Sequence, residues 1–178
     1  YVQVVTNPGL LAKVYDVPWG MNDGLARRAS WVYKGGDQVV QTVNVSARRS
    51  DCNDRNYSHL QKYGFSLDCQ YPGVHTRKEW FGVEYEGYIK APVAGNYSFR
   101  FDVDDGVSLE IDGVSVIWFD GLHSPQSTGV FTRYLSAGDH TIRIRYFQGP
   151  KWEIANVFFW QRPGGIWEIV PAGSFRQP

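Results

Sequence analysis

The chain has 178 residues, and its eighteen Lys and Arg balance eighteen Asp and Glu to a formal net charge of zero. That balance, without a basic run, excludes the electrostatic footprint of a nucleic-acid binder. With 43% hydrophobic residues the chain is not disordered, and apolar runs as short as Val157-Phe158-Phe159-Trp160 give no membrane span. What is left is one aromatic-rich domain with a full core, whose function must sit in a local site.

The chain starts at Tyr1 without Met or an apolar leader, so residues 1–178 read as a single domain excised from a longer protein. Leu10 to Tyr15 and Val39 to Val45 have the composition of strands. Between Ser46 and Thr76 the sequence turns polar, beginning Arg48-Arg49-Ser50-Asp51-Cys52-Asn53-Asp54-Arg55. This predicts a long structured loop insertion, a kind of segment that is often functional; an insertion without a role is the alternative. Cys52 and Cys69 lie within it. They form either a disulfide, worth about 3 kcal/mol in the chain-entropy model, or two free thiols. His59, His75, His123 and His140 are scattered and give no zinc spacing near either cysteine. Asn44-Val-Ser46, Asn56-Tyr-Ser58 and Asn96-Tyr-Ser98 match the glycosylation sequon, a pattern common by chance.

The second half alternates with a period of two. Tyr97, Phe99, Phe101 and Val103 interleave with Ser98, Arg100, Asp102 and Asp104; Val107, Leu109 and Ile111 with Ser108, Glu110 and Asp112; Ile142, Ile144 and Tyr146 with Thr141, Arg143 and Arg145. Each set predicts a strand with one buried and one wet face. Turn residues punctuate them at Ala94-Gly95-Asn96, Asp112-Gly113, Ala137-Gly138-Asp139 and Pro163-Gly164-Gly165, and Asp112-Gly113 predicts a hairpin. Such spacing, with little helical periodicity, predicts an all-β fold, an antiparallel β-sandwich.

Asp102-Val-Asp104-Asp105-Gly106 is the densest cluster of oxygen donors. Neighbouring carboxylates repel unless a positive charge sits between them, and hard oxygen ligands suit calcium. An EF-hand loop is excluded, because the twelfth position from Asp102 is Gly113 rather than a bidentate Glu. The alternative is a solvated Asp-Asp-Gly turn. Asp102 and Asp104 fall on the wet face, while Asp105 and Gly106 break the alternation; a glycine there permits an unusual backbone that turns two carboxylates toward one point.

Phe81-Gly-Val-Glu-Tyr-Glu-Gly-Tyr-Ile-Lys90, Ala91-Pro-Val-Ala-Gly-Asn-Tyr-Ser-Phe-Arg-Phe101 and Asp104-Asp105-Gly106-Val-Ser-Leu-Glu-Ile-Asp-Gly113 resemble the core of the PA-fourteen domain. Leu135 to Tyr146, Val157 to Trp160 and Gly9 to Tyr15 continue the resemblance, which covers most of the chain except about Ser46 to Thr76. That family is a β-sandwich found in adhesins, toxins, flocculins and glycosidases, and many members are calcium-dependent lectins. The resemblance implies that Asp104 and Asp105 are joined by a cis peptide bond and hold Ca2+, and that two neighbouring sugar hydroxyls complete the ion's shell. It implies further ligands from Tyr146-Phe-Gln148-Gly149-Pro150-Lys151-Trp152-Glu153: the Gln148 amide oxygen and the Gly149 and Lys151 carbonyls. Gln148 stands where yeast flocculins use an Asn, as in large bacterial repeats-in-toxin adhesins.

Trp152, beside these ligands, is a candidate wall for the apolar face of a sugar, packing being the alternative. Trp118, Asp120 and His123, in the irregular stretch after the hairpin strand, are candidates for the rim of the site; an ordinary loop is the alternative. Glu84 and Glu86 lie at strand spacing and read either as a carboxylate pair for glycoside hydrolysis or as surface strand charges. No Gly-x-Ser-x-Gly elbow, phosphate loop or His-Glu-x-x-His helix is present. The expectation is a monomeric, non-enzymatic lectin domain of a secreted bacterial adhesin, extracellular or at the cell surface, taking glycans with fucose-, glucose- or mannose-type vicinal hydroxyls. A glycosidase domain and a structural member that binds no sugar are the alternatives.

Overall fold

A computed structural model describes residues 7–49, 79–150 and 153–178. The expected insertion therefore falls outside the described residues beyond Arg49, with both cysteines, as do Lys151 and Trp152. Among the described residues the chain forms two antiparallel sheets and one short 3₁₀ turn, Arg28–Ser30. The strands are β1 (Leu10–Asp16), β2 (Val32–Val40), β3 (Asn44–Arg49), β4 (Phe81–Ala91), β5 (Gly95–Asp104), β6 (Gly106–Ile111), β7 (Val114–Phe119), β8 (Gln126–Ser127), β9 (Phe131–Leu135), β10 (Gly138–Gln148), β11 (Glu153–Gln161), β12 (Trp167–Ile169) and β13 (Phe175–Arg176). No helix among these residues is long and apolar enough to cross a membrane.

The first sheet has the order β2-β1-β4-β10-β6-β7, with β13 beside the far end of β4. The second has the order β12-β11-β5-β8, with β3 on β11 and β9 on β5. The predicted alternation becomes the sandwich core. Tyr97, Phe99, Phe101, Phe158 and Trp160 point inward from the second sheet against Tyr85, Ile144, Tyr146 and Leu109 of the first, all essentially inaccessible to solvent. The Phe101 and Phe158 rings stack at 4.5 Å between centroids and 13° between planes, so much of the aromatic excess fills the space between the sheets. The Asp112-Gly113 hairpin joins β6 to β7 with φ values of 52° and 72°; two positive φ angles are what a tight type I′ turn requires.

Val39 to Val45 is not one strand. β2 ends at Val40 in the first sheet, and β3 begins at Asn44 in the second, so the chain changes sheets between them. Val40 and Val43 both face the core, which is why apolar character runs through a corner.

The two poles of the sandwich differ. At one, Asp16, Phe81 and Gln148 lie in register across β1, β4 and β10, and Phe147 pairs with Gly106. At the other, the Gly9 N–H donates to Phe175 O (3.1 Å), and the Gln177 N–H donates to Asn7 O (2.8 Å).

Candidate functional site

At the first pole the chain crosses from the second sheet to the first through Asp104, the last residue of β5, and Asp105, which precedes β6. The peptide bond between them is cis. Both side chains are buried, 5% and 4% exposed. Asp105 is fixed on both oxygens: Oδ1 accepts the His123 N–H at 3.0 Å and Oδ2 the Gly149 N–H at 2.7 Å. The Asp104 carbonyl accepts the Tyr146 hydroxyl at 2.5 Å. Asp102 pairs with Arg100 on the open face (2.8 Å). Asp104 lies on that same face but is not wet, because Leu122, His123, Ser124 and Pro150 gather around it.

The break in alternation lies at the cis bond rather than at the glycine. Gly106 has no left-handed φ; it is needed for space. A Cβ there would stand 2.9 Å from Phe147 Cδ1, 3.1 Å from Asp120 Oδ1 and 3.2 Å from Phe119 O.

Gln148 is fully buried. Its Nε2 donates to Pro150 O (2.7 Å) and Glu153 O (2.8 Å), which shapes the loop, and its Oε1 faces the Tyr146 hydroxyl at 2.6 Å. That hydroxyl has one proton for two acceptors, Gln148 Oε1 and Asp104 O. Gly149 meets the acidic pair through its N–H, while its carbonyl accepts the Trp80 N–H at 2.9 Å.

Burial raises the Asp104 carboxyl, and the charges of Asp105 and Glu153 push it further, to about 8. Burial also raises Asp105, although the Gly149 and His123 N–H groups pull it back in part. Two buried carboxylates that share no Lys or Arg among the described residues form an electrostatic hole for a cation. They open onto a pocket of about 310 Å³ lined by Asp104, Asp105, Leu122, His123, Ser124, Pro150 and Glu153. Among the described residues no three His, Cys, Asp or Glu side chains gather in metal-ligand geometry. The donors here are two carboxylates with amide and carbonyl oxygens, which is calcium chemistry rather than zinc chemistry. A wider hollow of about 510 Å³ on the outer face of the second sheet contains one carboxylate, the arginine-paired Asp102.

The structure thus brings Asp104, Asp105, His123, Gln148 and Gly149 together. Trp118 does not line the pocket: it belongs to the regular strand β7, opposite Ser108, and is 53% exposed. Asp120 is an anchor rather than a rim residue, accepting the N–H groups of Leu25 (3.0 Å), Ala26 (2.9 Å) and Gly121 (2.9 Å). It ties down the segment between β1 and β2, which the sequence had not connected with the site. Two close approaches lock the same segment: Gly24 lies against the Phe147 ring, and the Trp31 ring lies over Gly82. Beyond the last ladder pairs, the Val17 N–H donates to Trp80 O (2.8 Å) and the Trp80 N–H to Gly149 O (2.9 Å), so this segment, Trp80 and the site loop form one continuous row. Glu153, on the pocket wall, was also missed.

Glu84 and Glu86 lie on the outer face of the first sheet. Glu84 Oε2 binds Arg145 at 2.8 Å and Arg28 at 3.0 Å. Burial alone would raise its pKa, but hydrogen bonds from Arg145 and its other partners hold it at about 2. Glu84 is thus a strand charge buried among its arginine partners rather than an open surface charge.

A family model described as the PA14 domain matches residues 58–174. Solved structures share the fold. An anti-sigma factor domain-containing protein is 19% identical with a TM-score of 0.67, over 97% of this chain and 49% of that one, so this chain spans about half its length. The PA14 domain of MpAFP antifreeze protein is 19% identical with a TM-score of 0.75, over 95% of this chain and 90% of that one. A PA14 sugar-binding domain from an RTX adhesin is 18% identical with a TM-score of 0.72, over 97% of this chain and all of that one. No curated protein matches the chain in sequence.

Proposed function

This chain belongs to the PA14 domain family, and from that premise we propose that it is a calcium-dependent carbohydrate-binding module of a secreted bacterial adhesin. The observation that carries the reading is the buried Asp104–Asp105 pair, which has no Lys or Arg partner among the described residues and opens onto a pocket. The adhesin-derived sugar-binding domain with the same fold supports it.

Asp104 and Asp105 are the charged ligands. Gln148 Oε1 joins them when the Tyr146 proton goes to the Asp104 carbonyl. The Gly149 carbonyl keeps one lone pair beyond its bond to Trp80, and Lys151 offers a carbonyl farther along the loop. Calcium bound here supplies open coordination positions for two neighbouring hydroxyls of a fucose-, glucose- or mannose-type sugar. The chain does the rest. The His123 and Gly149 N–H groups keep the Asp105 carboxylate aimed, Gln148 holds the loop shut through Pro150 and Glu153, and His123 flanks the sugar. This is recognition without chemistry. Glu84 is bound by arginines and held acidic, the opposite of the raised pKa a glycosidase's general acid needs. Binding of one sugar is weak, and firm attachment at a cell surface comes from many copies.

A glycan array read in calcium and again in chelator, with Asp105→Ala alongside, tests this. Wild type is expected to bind in calcium only, and the variant not at all. Binding that survives chelator sinks the calcium bridge. Released product favours a glycosidase, and silence in every lane favours a structural module.

A further inference from the structure

Trp19 is 78% exposed, although its neighbours Val17 and Leu25 are buried. A large apolar ring left in water gives up the stabilisation of burial, yet this one is not loose. Its ring packs on that of Trp80, 5.6 Å between centroids and tilted by 46°, and Trp80 is itself 3% exposed. The segment that carries it is pinned beyond Trp19 by the Asp120 carboxylate on the Leu25 and Ala26 N–H groups, and before it by Val17 on Trp80. The ring is thus presented on a fixed base.

Its location relative to the acidic pair follows from the same row. The Asp105 carboxylate holds the Gly149 N–H, the Gly149 carbonyl holds Trp80, and the Trp80 carbonyl holds Val17. Neighbouring strands lie about 4.8 Å apart. Val17 is therefore about 10 Å from Gly149, and Trp19 lies two residues further along. Trp19 is not among the residues lining the pocket at Asp104 and Asp105, so its place is beside the next rings of a chain extending from that pocket rather than against the first. Sugar rings carry apolar C–H faces, and a rigid aromatic surface with few polar groups is what recognises them.

We propose that Trp19 is a stacking platform for the outer rings of a neutral oligosaccharide whose end is held at Asp104–Asp105, so that the domain prefers short chains to single sugars. The assignment rests on the sugar-binding reading above, and the platform is a specificity-determining contact rather than a calcium ligand.

The test compares wild type, Trp19→Ala and Trp19→Phe on neutral glucose-, mannose-, fucose- and galactose-based glycans of graded length, from single rings upward, in calcium. Calcium affinity is titrated calorimetrically without sugar, and thermal unfolding verifies the fold. Trp19→Ala is expected to lose about three- to ten-fold in affinity for the longer glycans, with single-ring binding, calcium affinity and melting temperature unchanged. Trp19→Phe is expected to keep most of the longer-chain affinity. If wild type binds glycans and Trp19→Ala matches it at every length, or loses equally on single rings, the platform is overturned and calcium-dependent binding stands. If wild type binds no glycan in calcium, the sugar-binding reading falls and the platform falls with it.

Discussion

Two glycines flank the acidic pair, and they forbid side chains for different reasons. At Gly106 a new Cβ meets the backbone oxygen of Phe119 as well as the Phe147 ring, and neither can easily retreat. At Gly149 it meets the end of the Leu122 side chain (2.4 Å), which can swing away, and Asp105 Oδ2 at 3.1 Å, which a calcium site needs in place. Gly106→Ala is therefore expected to cost about 1–3 kcal/mol in denaturant unfolding. Gly149→Ala is expected to cost less in stability but at least as much in calcium affinity, measured by titration. A Gly149→Ala protein with wild-type calcium affinity would contradict the role given to Asp105. At this scale the aspartates were legible because a cluster of carboxylates is written in residue types, whereas Gln148 and the loop carrying it came from the family resemblance. The reason for Gly106 was not. The sequence suggested a permissive backbone, but the requirement is room for Phe147, whose nearness depends on the pairing of β10 with β6.

Alternation revealed β5, β6 and β10, and it also carried information about the outer face of the first sheet. Glu84 on β4 lies opposite Arg145 on β10, which reaches diagonally to Glu110 on β6, with Arg28 reaching in from the 3₁₀ turn. Glu84 is 5% exposed, so its ionised form depends on these partners. Its folded pKa, about 2, lies below its ordinary value of 4.5. Its contribution is therefore complete above pH 4.5 and is lost as pH falls from there toward 2, about 3 kcal/mol at most. Stability measured down this range should fall in wild type and fall less steeply in Glu84→Gln, whose plateau above pH 5 should be lower because Arg28 and Arg145 lose their partner. Identical slopes would show that the network does not couple to folding. The segment between β1 and β2 was illegible for a geometric reason. Gly24 and Phe147, or Trp31 and Gly82, are far apart in the chain, and only the completed sheet brings them together.

For the molecule as a whole, calcium should act as a folding ligand. An ion that binds the native state alone adds about 2.7 kcal/mol at one hundred times its Kd, which for a domain of this size is about 5–10 °C in Tm. Scanning calorimetry should show that rise in wild type and none in Asp105→Ala, while chelator should bring wild type back to its calcium-free value. A calcium-independent Tm would remove the metal from the account. A zero net charge hides this property, because it averages a concentrated acidic corner with arginine ladders elsewhere. The stitching of residues 7–9 to residues 175–177 has a consequence in time. Those partners lie nearly the whole sequence apart (Gln177 Nε2 reaches Pro8 O across 169 positions), and closing so long a loop is slow. On a ribosome the earliest of these residues must wait, unpaired, until the last strand emerges. Both sheets can form around a gap that only the arrival of β13 seals.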